Sequence, residues 1–199
     1  MNRPRLRSRC ALALVALVAL AIAGSAGATP ATPTSVVATP VTVAATPAFP
    51  VATTVILARH AEKNPHPSGG DAGLNTKGIV RAQALARTLA DAGVTAIYAS
   101  QFGRARLTGE PLAQAIGDSV RTYDANHIDV LVQRVREEGR GRTVLIIGHS
   151  DTIGETYADL TGEALPKDEN YAYDKLWVVT FAPDGTHRLV RLRYGAPAD

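Results

Sequence analysis

The sequence predicts a three-layer α/β domain with a mostly parallel central sheet and a C-terminal antiparallel hairpin. Two short apolar runs rich in β-branched residues, Thr53–Ala58 and Thr143–Ile147, have the composition of strands buried on both faces. Segments with helical periodicity alternate with strand-like segments between them, which is typical of helices packed on both faces of a sheet. Near the end, Pro183-Asp184-Gly185 is a turn signal between two strand-like segments and predicts a hairpin at a sheet edge.

The first predicted helix is bounded by capping residues. A loop rich in Gly and Pro separates it from the first strand and runs from Glu62 to Gly73. Asn75 then caps a helix from Thr76 to about Asp91, and Gly93 ends it. Four apolar residues of this helix share one face, which predicts that they pack on the sheet: Ile79, Ala82, Ala86 and Leu89.

The remaining elements follow from the same signals. The second strand is Val94–Ala99. Three more helices are predicted over Arg104–Ile116, Asn126–Glu138 and Ser150–Leu160, and Gly117 and Gly162 end the first and the last of them. The hairpin strands are Lys175–Phe181, which contains Trp177 as an expected core residue, and His187–Arg193.

The N-terminal part of the chain has the features of an export signal. Four arginines precede an uncharged apolar run, Ala11–Ala23, and Ala26-Gly27-Ala28 forms a small-residue cleavage site. The run is short for a membrane span, although an uncleaved anchor is the alternative. Residues 1–28 therefore predict a signal peptide and a periplasmic or secreted location. Residues 29–50, rich in Thr, Pro and Ala, predict a disordered linker, and 51–195 the folded domain.

The charge and cysteine content exclude several classes of function. The signal segment contains four arginines and no acidic residue, so the rest of the chain has 17 Lys and Arg against 18 Asp and Glu. A nucleic-acid-binding domain needs a concentration of basic residues that is absent here. The single cysteine, Cys10, lies in the signal, which excludes cysteine nucleophiles and cysteine-bound zinc from the mature domain. The histidines also lack the spacing of a zinc site, and no metal or cofactor is expected.

Two strands of the predicted sheet end at a histidine, one of which follows an arginine. Arg59-His60 closes the first strand, and His149 follows Thr143–Ile147 by two residues. Ligands of open α/β sheets bind at the carboxyl ends of the strands, so both imidazoles are expected in one crevice. A neutral imidazole is a good nucleophile toward phosphorus, and arginine matches the geometry of phosphate oxygens. Arg104, near a helix N-terminus that itself favours anions, is a further candidate.

Four motifs in the same order resemble those of a known family. Leu57-Ala58-Arg59-His60-Ala61-Glu62 is similar to the Arg-His-Gly/Ala-Glu signature of the histidine phosphatase superfamily, which has the phosphoglycerate-mutase-like fold. The other three similar segments are Leu74–Gly78 with Arg81-Ala82, Tyr98–Ser100 with Arg104-Ala105, and Gly148–Ser150. One departure follows Arg104-Ala105, where Arg106–Gly109 replaces the usual x-Gln-Thr-Ala.

The resemblance implies roles for individual residues. His60 would be the phosphorylated nucleophile, and Arg59, Arg104 and His149 would form the phosphate pocket without a metal. Lys63, in the loop over the site, is a candidate substrate contact. His66, in the same loop, and His127 and His187 are expected at the surface.

The acid that protonates the leaving group is not fixed by the motifs. Asp151 is the first candidate and Glu62 the second, although Glu62 is also well placed to accept structural hydrogen bonds. The segment from Gly117 to Glu138 offers the remaining candidates, which are Asp118, Asp124, Asp129, Glu137 and Glu138.

The sequence therefore predicts an exported, metal-independent phosphomonoester hydrolase that acts through a phosphohistidine on a small phosphorylated substrate. Two alternatives remain: a phosphoglycerate-mutase-like phosphotransferase, and a non-catalytic protein that binds a phosphorylated ligand. Neither nucleic acid nor a membrane, beyond the export signal, is an expected partner. The sequence does not indicate an oligomeric state.

Overall fold

The computed structural model describes residues 51–66, 70–166 and 171–198. The predicted signal and linker lie outside the described residues. The domain contains six strands and four helices within the described ranges: β1 (Thr53–Arg59), α1 (Thr76–Leu89), β2 (Val94–Ser100), α2 (Gly103–Ile116), β3 (Val120–Tyr123), α3 (Ile128–Glu138), β4 (Thr143–Gly148), α4 (Thr152–Thr161), β5 (Lys175–Phe181) and β6 (His187–Arg193).

The strands form one sheet in the order β3-β2-β4-β1-β5-β6. The first four strands in this order are parallel, and β5 and β6 add an antiparallel hairpin at one edge. Helices α1 and α2 cover one face, through residues such as Leu85 and Leu112, and α3 and α4 cover the other, through residues such as Val135 and Ile153. This arrangement confirms the predicted three-layer fold, its mostly parallel sheet and its terminal hairpin.

The two central strands β1 and β4 end side by side. They pair in parallel, with Arg59 opposite Gly148, and the His60 backbone N–H donates to the Gly148 carbonyl at 2.9 Å. Because β2 pairs with the other edge of β4, its last residue, Ser100, lies at the same end of the sheet. Three neighbouring strands therefore deliver their terminal side chains to one place.

Two details of the predicted elements are wrong. Strand β3 was not predicted, because its four residues contain a single buried side chain, Tyr123. Ile79, predicted to face the sheet, is 51% exposed. The helix is turned so that Gly78 lies against the backbone of Glu62, where a Cβ would stand 2.2 Å from the carbonyl oxygen. Ala82, Ala86 and Leu89 are buried as predicted.

The boundaries of the predicted elements agree with the observed ones to within two residues. Helix α3 begins at Ile128 and α4 at Thr152, each two residues later than predicted. Trp177 is fully buried in the core, as expected. Among the described residues, no helix has the length and apolar character needed to span a membrane.

Candidate active site

One cavity collects six of the seven predicted site residues. Its volume is about 380 Å³, and its wall includes Arg59, His60, Lys63, Arg104, His149 and Asp151. The two imidazole rings lie with their centroids 5.0 Å apart. The expectation that both histidines reach one crevice is therefore confirmed. The seventh predicted residue, Glu62, lies outside this wall.

His60 presents an unprotonated ring nitrogen. Its Nδ1 lies 2.8 Å from the Ala61 carbonyl oxygen, and because a carbonyl can only accept, Nδ1 carries the proton. Nε2 then holds the free lone pair. Burial lowers the pKa of His60 from 6.5 to about 3, and the nearby positive charges of Arg104 and Arg59 act in the same direction. At neutral pH the ring is uncharged, which is the state that a nucleophilic imidazole requires.

Arg59 is held by the segment that precedes β5. Its Nη1 donates to the Tyr171 carbonyl at 2.9 Å, and its Nη2 donates to the Tyr173 hydroxyl at 3.2 Å. The guanidinium also lies 4.0 Å from the centre of the Tyr173 ring, a favourable cation–π distance. These three contacts fix the plane of the guanidinium beside His60.

Arg104 is held in a comparable way from the other side of the cavity. Its guanidinium lies 4.4 Å from the centre of the Phe102 ring, and Nη2 lies 3.4 Å from Nδ1 of His149. The Nε atoms of both arginines, Arg59 and Arg104, are buried and have no hydrogen-bond partner within the described part of the chain. Each guanidinium thus has one buried N–H donor that is unsatisfied among the described residues.

His149 contacts a buried serine that the sequence analysis did not single out. Ser100 Oγ lies 2.7 Å from Nε2 of His149, and Ser100 is fully buried. Burial lowers the pKa of His149 to about 4, and the positive charge of Arg104 contributes in the same direction. Two signals were available: Ser100 ends the strand next to β4, and it belongs to the Tyr98–Ser100 segment that resembles the family.

The backbone N–H groups at the N-terminus of α2 were expected to favour a bound anion, but the structure places a side chain there. Asp71, from the loop between β1 and α1, accepts a hydrogen bond from the Gly103 N–H at 2.6 Å. A carboxylate of this chain therefore already occupies that helix end. One turn later, the Thr108 hydroxyl donates to the Arg104 carbonyl and accepts from the Ala61 N–H, which links α2 to the residue that follows His60.

Glu62 belongs to a structural ion pair and not to the wall of the cavity that holds His60 and His149. Both of its carboxylate oxygens accept hydrogen bonds from Arg81, at 2.7–2.9 Å. Burial alone would raise the pKa of Glu62, but the Arg81 hydrogen bonds and charge lower it overall. A carboxylate held in its ionised form is poorly suited to donate a proton, so the structure disfavours Glu62 as the acid.

We expect loss of Arg81 to destabilise the fold by about 3 kcal/mol, since it leaves a largely buried carboxylate without its partner. The variant is Arg81→Met, which keeps an unbranched side chain of similar length, and the measurement is urea unfolding at neutral pH. Arg87→Met, on the exposed side of the same helix, is the matched control and should change stability little. Equal unfolding midpoints for the two variants would contradict the structural role of this ion pair.

Asp151 and Lys63 lie at the rim of the cavity. Asp151 is exposed and caps α4, where its Oδ1 accepts from the Thr152 N–H at 2.9 Å. Lys63 also borders a second cavity of about 370 Å³, whose wall includes Tyr173 and Lys77. None of the five acidic residues between Gly117 and Glu138 belongs to the wall of the first cavity.

The other histidines lie away from the site. His66 and His127 are exposed, as expected. His187 is half-buried, which corrects its prediction as a surface residue: its ring packs on Phe181, with centroids 5.9 Å apart, and near Tyr157. Within the described ranges, no group of three or more His, Asp or Glu side chains is arranged to hold a metal ion.

Two histidines and Arg59 from the ends of the central strands share one cavity with Arg104 from α2, an arrangement whose chemistry suits a phosphoryl group. The family model described as histidine phosphatase superfamily (branch 1) matches residues 55–125, which include Arg59, His60 and Arg104. No curated protein matches the sequence.

Solved structures share the fold at low sequence identity. The protein histidine phosphatase SixA, complexed with tungstate, is 21% identical with a TM-score of 0.58, over 70% of this chain and 96% of that chain. The mycobacterial glucosyl-3-phosphoglycerate phosphatase is 15% identical with a TM-score of 0.58, over 72% and 100%. A structure described as mycobacterial hydrolase 1 is 17% identical with a TM-score of 0.56, over 73% and 100%. By this partial match and by its fold, the chain is similar to the histidine phosphatase superfamily.

Proposed function

We propose that this protein is a metal-independent phosphomonoester hydrolase that acts through a phosphohistidine on His60. The observation that carries the proposal is the uncharged His60 ring, with its Nε2 lone pair free, in a cavity that it shares with two arginines. The match of residues 55–125 to the superfamily model and the phosphatases among the structures of similar fold support it.

The reaction has two displacement steps. In the first, Nε2 of His60 attacks phosphorus, the bond from phosphorus to the ester oxygen breaks, and the leaving oxygen takes up a proton. In the second, water attacks phosphorus and gives a proton back to the group that donated one in the first step, the P–N bond breaks, and inorganic phosphate leaves with His60 uncharged again. Charge on the phosphoryl oxygens is stabilised in both steps by Arg59 and Arg104, which the aromatic rings of Tyr173 and Phe102 hold in place.

The wall of the cavity offers one carboxylate among the described residues, Asp151, which we propose as the proton donor to the leaving oxygen. Lys63 is the proposed contact for the rest of the substrate, since it lines both cavities. The second cavity is lined by Glu62, Pro65 and Asn75 among others, so the leaving group would extend past these residues.

A second candidate substrate class is a phosphoramidate, such as phosphohistidine on another protein. The one carboxylate at the rim, Asp151, also caps a helix, so it is less well suited to act as a general acid. A P–N bond to imidazole needs less assistance from a separate acid than an alkyl ester does. The similar fold of SixA, described as a protein histidine phosphatase, is consistent with this class.

We also propose that the protein is exported. The support is the sequence of residues 1–28, with its arginines, apolar run and small-residue cleavage site. The phosphorylated substrate would then lie outside the cytoplasmic membrane.

Metal independence gives the direct test of the proposed hydrolase. We expect purified protein to release p-nitrophenol from p-nitrophenyl phosphate, to keep its rate in millimolar EDTA, and to be inhibited by vanadate. Histidine and arginine supply the nucleophile and the cations that a metal would otherwise provide. A metal-dependent alkaline phosphatase serves as the control for chelation. Loss of activity in EDTA that is restored by zinc or magnesium would overturn the proposal.

A further inference from the structure

The two ring nitrogens of His149 contact groups of different kinds. Nε2 lies 2.7 Å from the hydroxyl oxygen of Ser100, and Nδ1 lies 3.4 Å from Nη2 of Arg104. Ser100 is at the end of β2 and is fully buried, whereas His149 follows β4 and lines the phosphate cavity. The serine hydroxyl is thus a fixed partner that comes from a neighbouring strand.

These contacts determine which nitrogen of the uncharged ring carries the proton. A guanidinium can only donate, so the nitrogen that faces Arg104 must accept, and Nδ1 is unprotonated. The proton then resides on Nε2, and this N–H donates a hydrogen bond to the hydroxyl oxygen of Ser100. This is the opposite tautomer to that of His60, whose Nδ1 donates to the Ala61 carbonyl.

Several charged and titratable groups face His149 and decide its protonation. Arg104 on α2 and Arg59 on β1 oppose a positive charge on the ring, and Asp151 at the start of α4 favours one. The His60 ring is a neutral neighbour at neutral pH. Burial is the largest cause that lowers the pKa of His149, and the arginines add to it, so the pKa is about 4. A phosphoryl dianion beside these groups would reverse the balance, since it attracts a positive charge from close range.

We propose that Ser100 holds the proton of His149 on Nε2, and that His149 takes up a second proton on Nδ1 when a phosphoryl dianion binds. The inference rests on the proposed function only for the identity of the ligand. The proton comes from solvent, one for each dianion bound, and no covalent bond is formed or broken. The resulting imidazolium donates from Nδ1 to a phosphoryl oxygen while Nε2 still donates to Ser100. Ser100 is accordingly a positioning residue that acts through His149.

The tautomer is tested first, because it needs no ligand. Two-bond ¹H–¹⁵N spectra of the histidine rings in labelled protein at pH 7.5 distinguish the two tautomers. We expect the Nε2–H form for His149, a mixture of both forms in Ser100→Ala, and recovery of the Nε2–H form in Ser100→Thr, which restores a hydroxyl. Thr161→Ala removes another buried hydroxyl, at the far end of α4, and should leave the His149 signals unchanged. An Nδ1–H form in the wild type, or no change in Ser100→Ala, would overturn the role of Ser100.

Proton uptake is tested with tungstate, a dianion that does not itself titrate near neutral pH. Calorimetric titrations at pH 7.5 in buffers of different ionisation enthalpy give the number of protons bound with each tungstate. We expect about one proton for the wild type and for Thr161→Ala. For Ser100→Ala we expect less uptake and binding that is weaker by about tenfold, the scale of a lost hydrogen bond to a charged group.

The outcomes separate this proposal from the proposed function. Tungstate binding without proton uptake would overturn the uptake while leaving the phosphoryl cavity in place. Proton-coupled binding in a protein that hydrolyses no phosphate ester would confirm the uptake and overturn the hydrolase. Failure to bind tungstate at all would overturn both, and the ligand-free spectra would still decide the tautomer.

Discussion

Replacement of His60 by alanine is expected to abolish turnover, with a fall in kcat of about 10⁴-fold or more, the scale seen when a covalent nucleophile is removed. The ring is the group in the cavity that offers phosphorus a free lone pair beside two arginines. The remaining cations could still bind the phosphoryl group, so the loss should appear in kcat more than in KM. The measurement is steady-state hydrolysis of p-nitrophenyl phosphate.

The intermediate provides an independent readout of the same prediction. Rapid quenching of the wild type with a ³²P-labelled substrate should leave label on the protein that survives alkali and is lost in acid, as a phosphoramidate is. His60→Ala should carry no label.

The control is His187→Ala, which removes a half-buried histidine on the edge strand β6, away from the cavity. It should retain activity and labelling even if its stability changes. Activity of His60→Ala close to that of the wild type, or label on it, would show that another residue is the nucleophile.

Much of the fold could be predicted because its signals are local. Strands β1 and β4 are continuous apolar runs, and the glycines at 117 and 162 adopt the left-handed conformation that ends α2 and α4. Strand β3 was not predicted because it is short and mostly exposed. The periodicity of α1 gave its buried face only approximately, since the close contact between Gly78 and Glu62 sets its rotation and lies outside the helix.

The residues of the candidate site also fall into two groups, those that local signals predict and those that they do not. His60, His149 and Arg104 stand at the ends of strands or the start of a helix, where position along the chain already indicates the crevice. The groups that orient them come from elsewhere: Tyr173 reaches Arg59 from 114 positions away. Ser100 reaches His149 from 49 positions away. Such partners depend on which strands become neighbours, and a local pattern does not contain that information.

The structure also changes how the acid should be sought. Of the two leading candidates, Glu62 is bound on both oxygens by Arg81, whereas Asp151 lines the cavity. Asp151 caps α4 as well, so its replacement can act through stability or through chemistry. Asparagine separates the two roles, because its amide oxygen can still accept from the Thr152 N–H while its side chain has no acidic proton.

We expect Asp151→Asn to slow hydrolysis of an alkyl phosphate ester by about a hundredfold or more, the usual scale of general acid catalysis. The same variant should slow p-nitrophenyl phosphate far less, because nitrophenolate leaves without a proton. The measurement is the ratio of kcat/KM for the two substrates in the wild type and the variant, with unfolding followed in parallel. Asp151→Ala, which also loses the cap, should show the same ratio together with a loss of stability of about 1 kcal/mol. An equal slowing of both substrates, or none, would remove Asp151 as the acid.

The same variant also bears on the substrate class. Preserved hydrolysis of phosphohistidine in Asp151→Asn, with hydrolysis of the alkyl ester lost, would favour the phosphoramidate class, since an imidazole leaving group needs less help from this carboxylate.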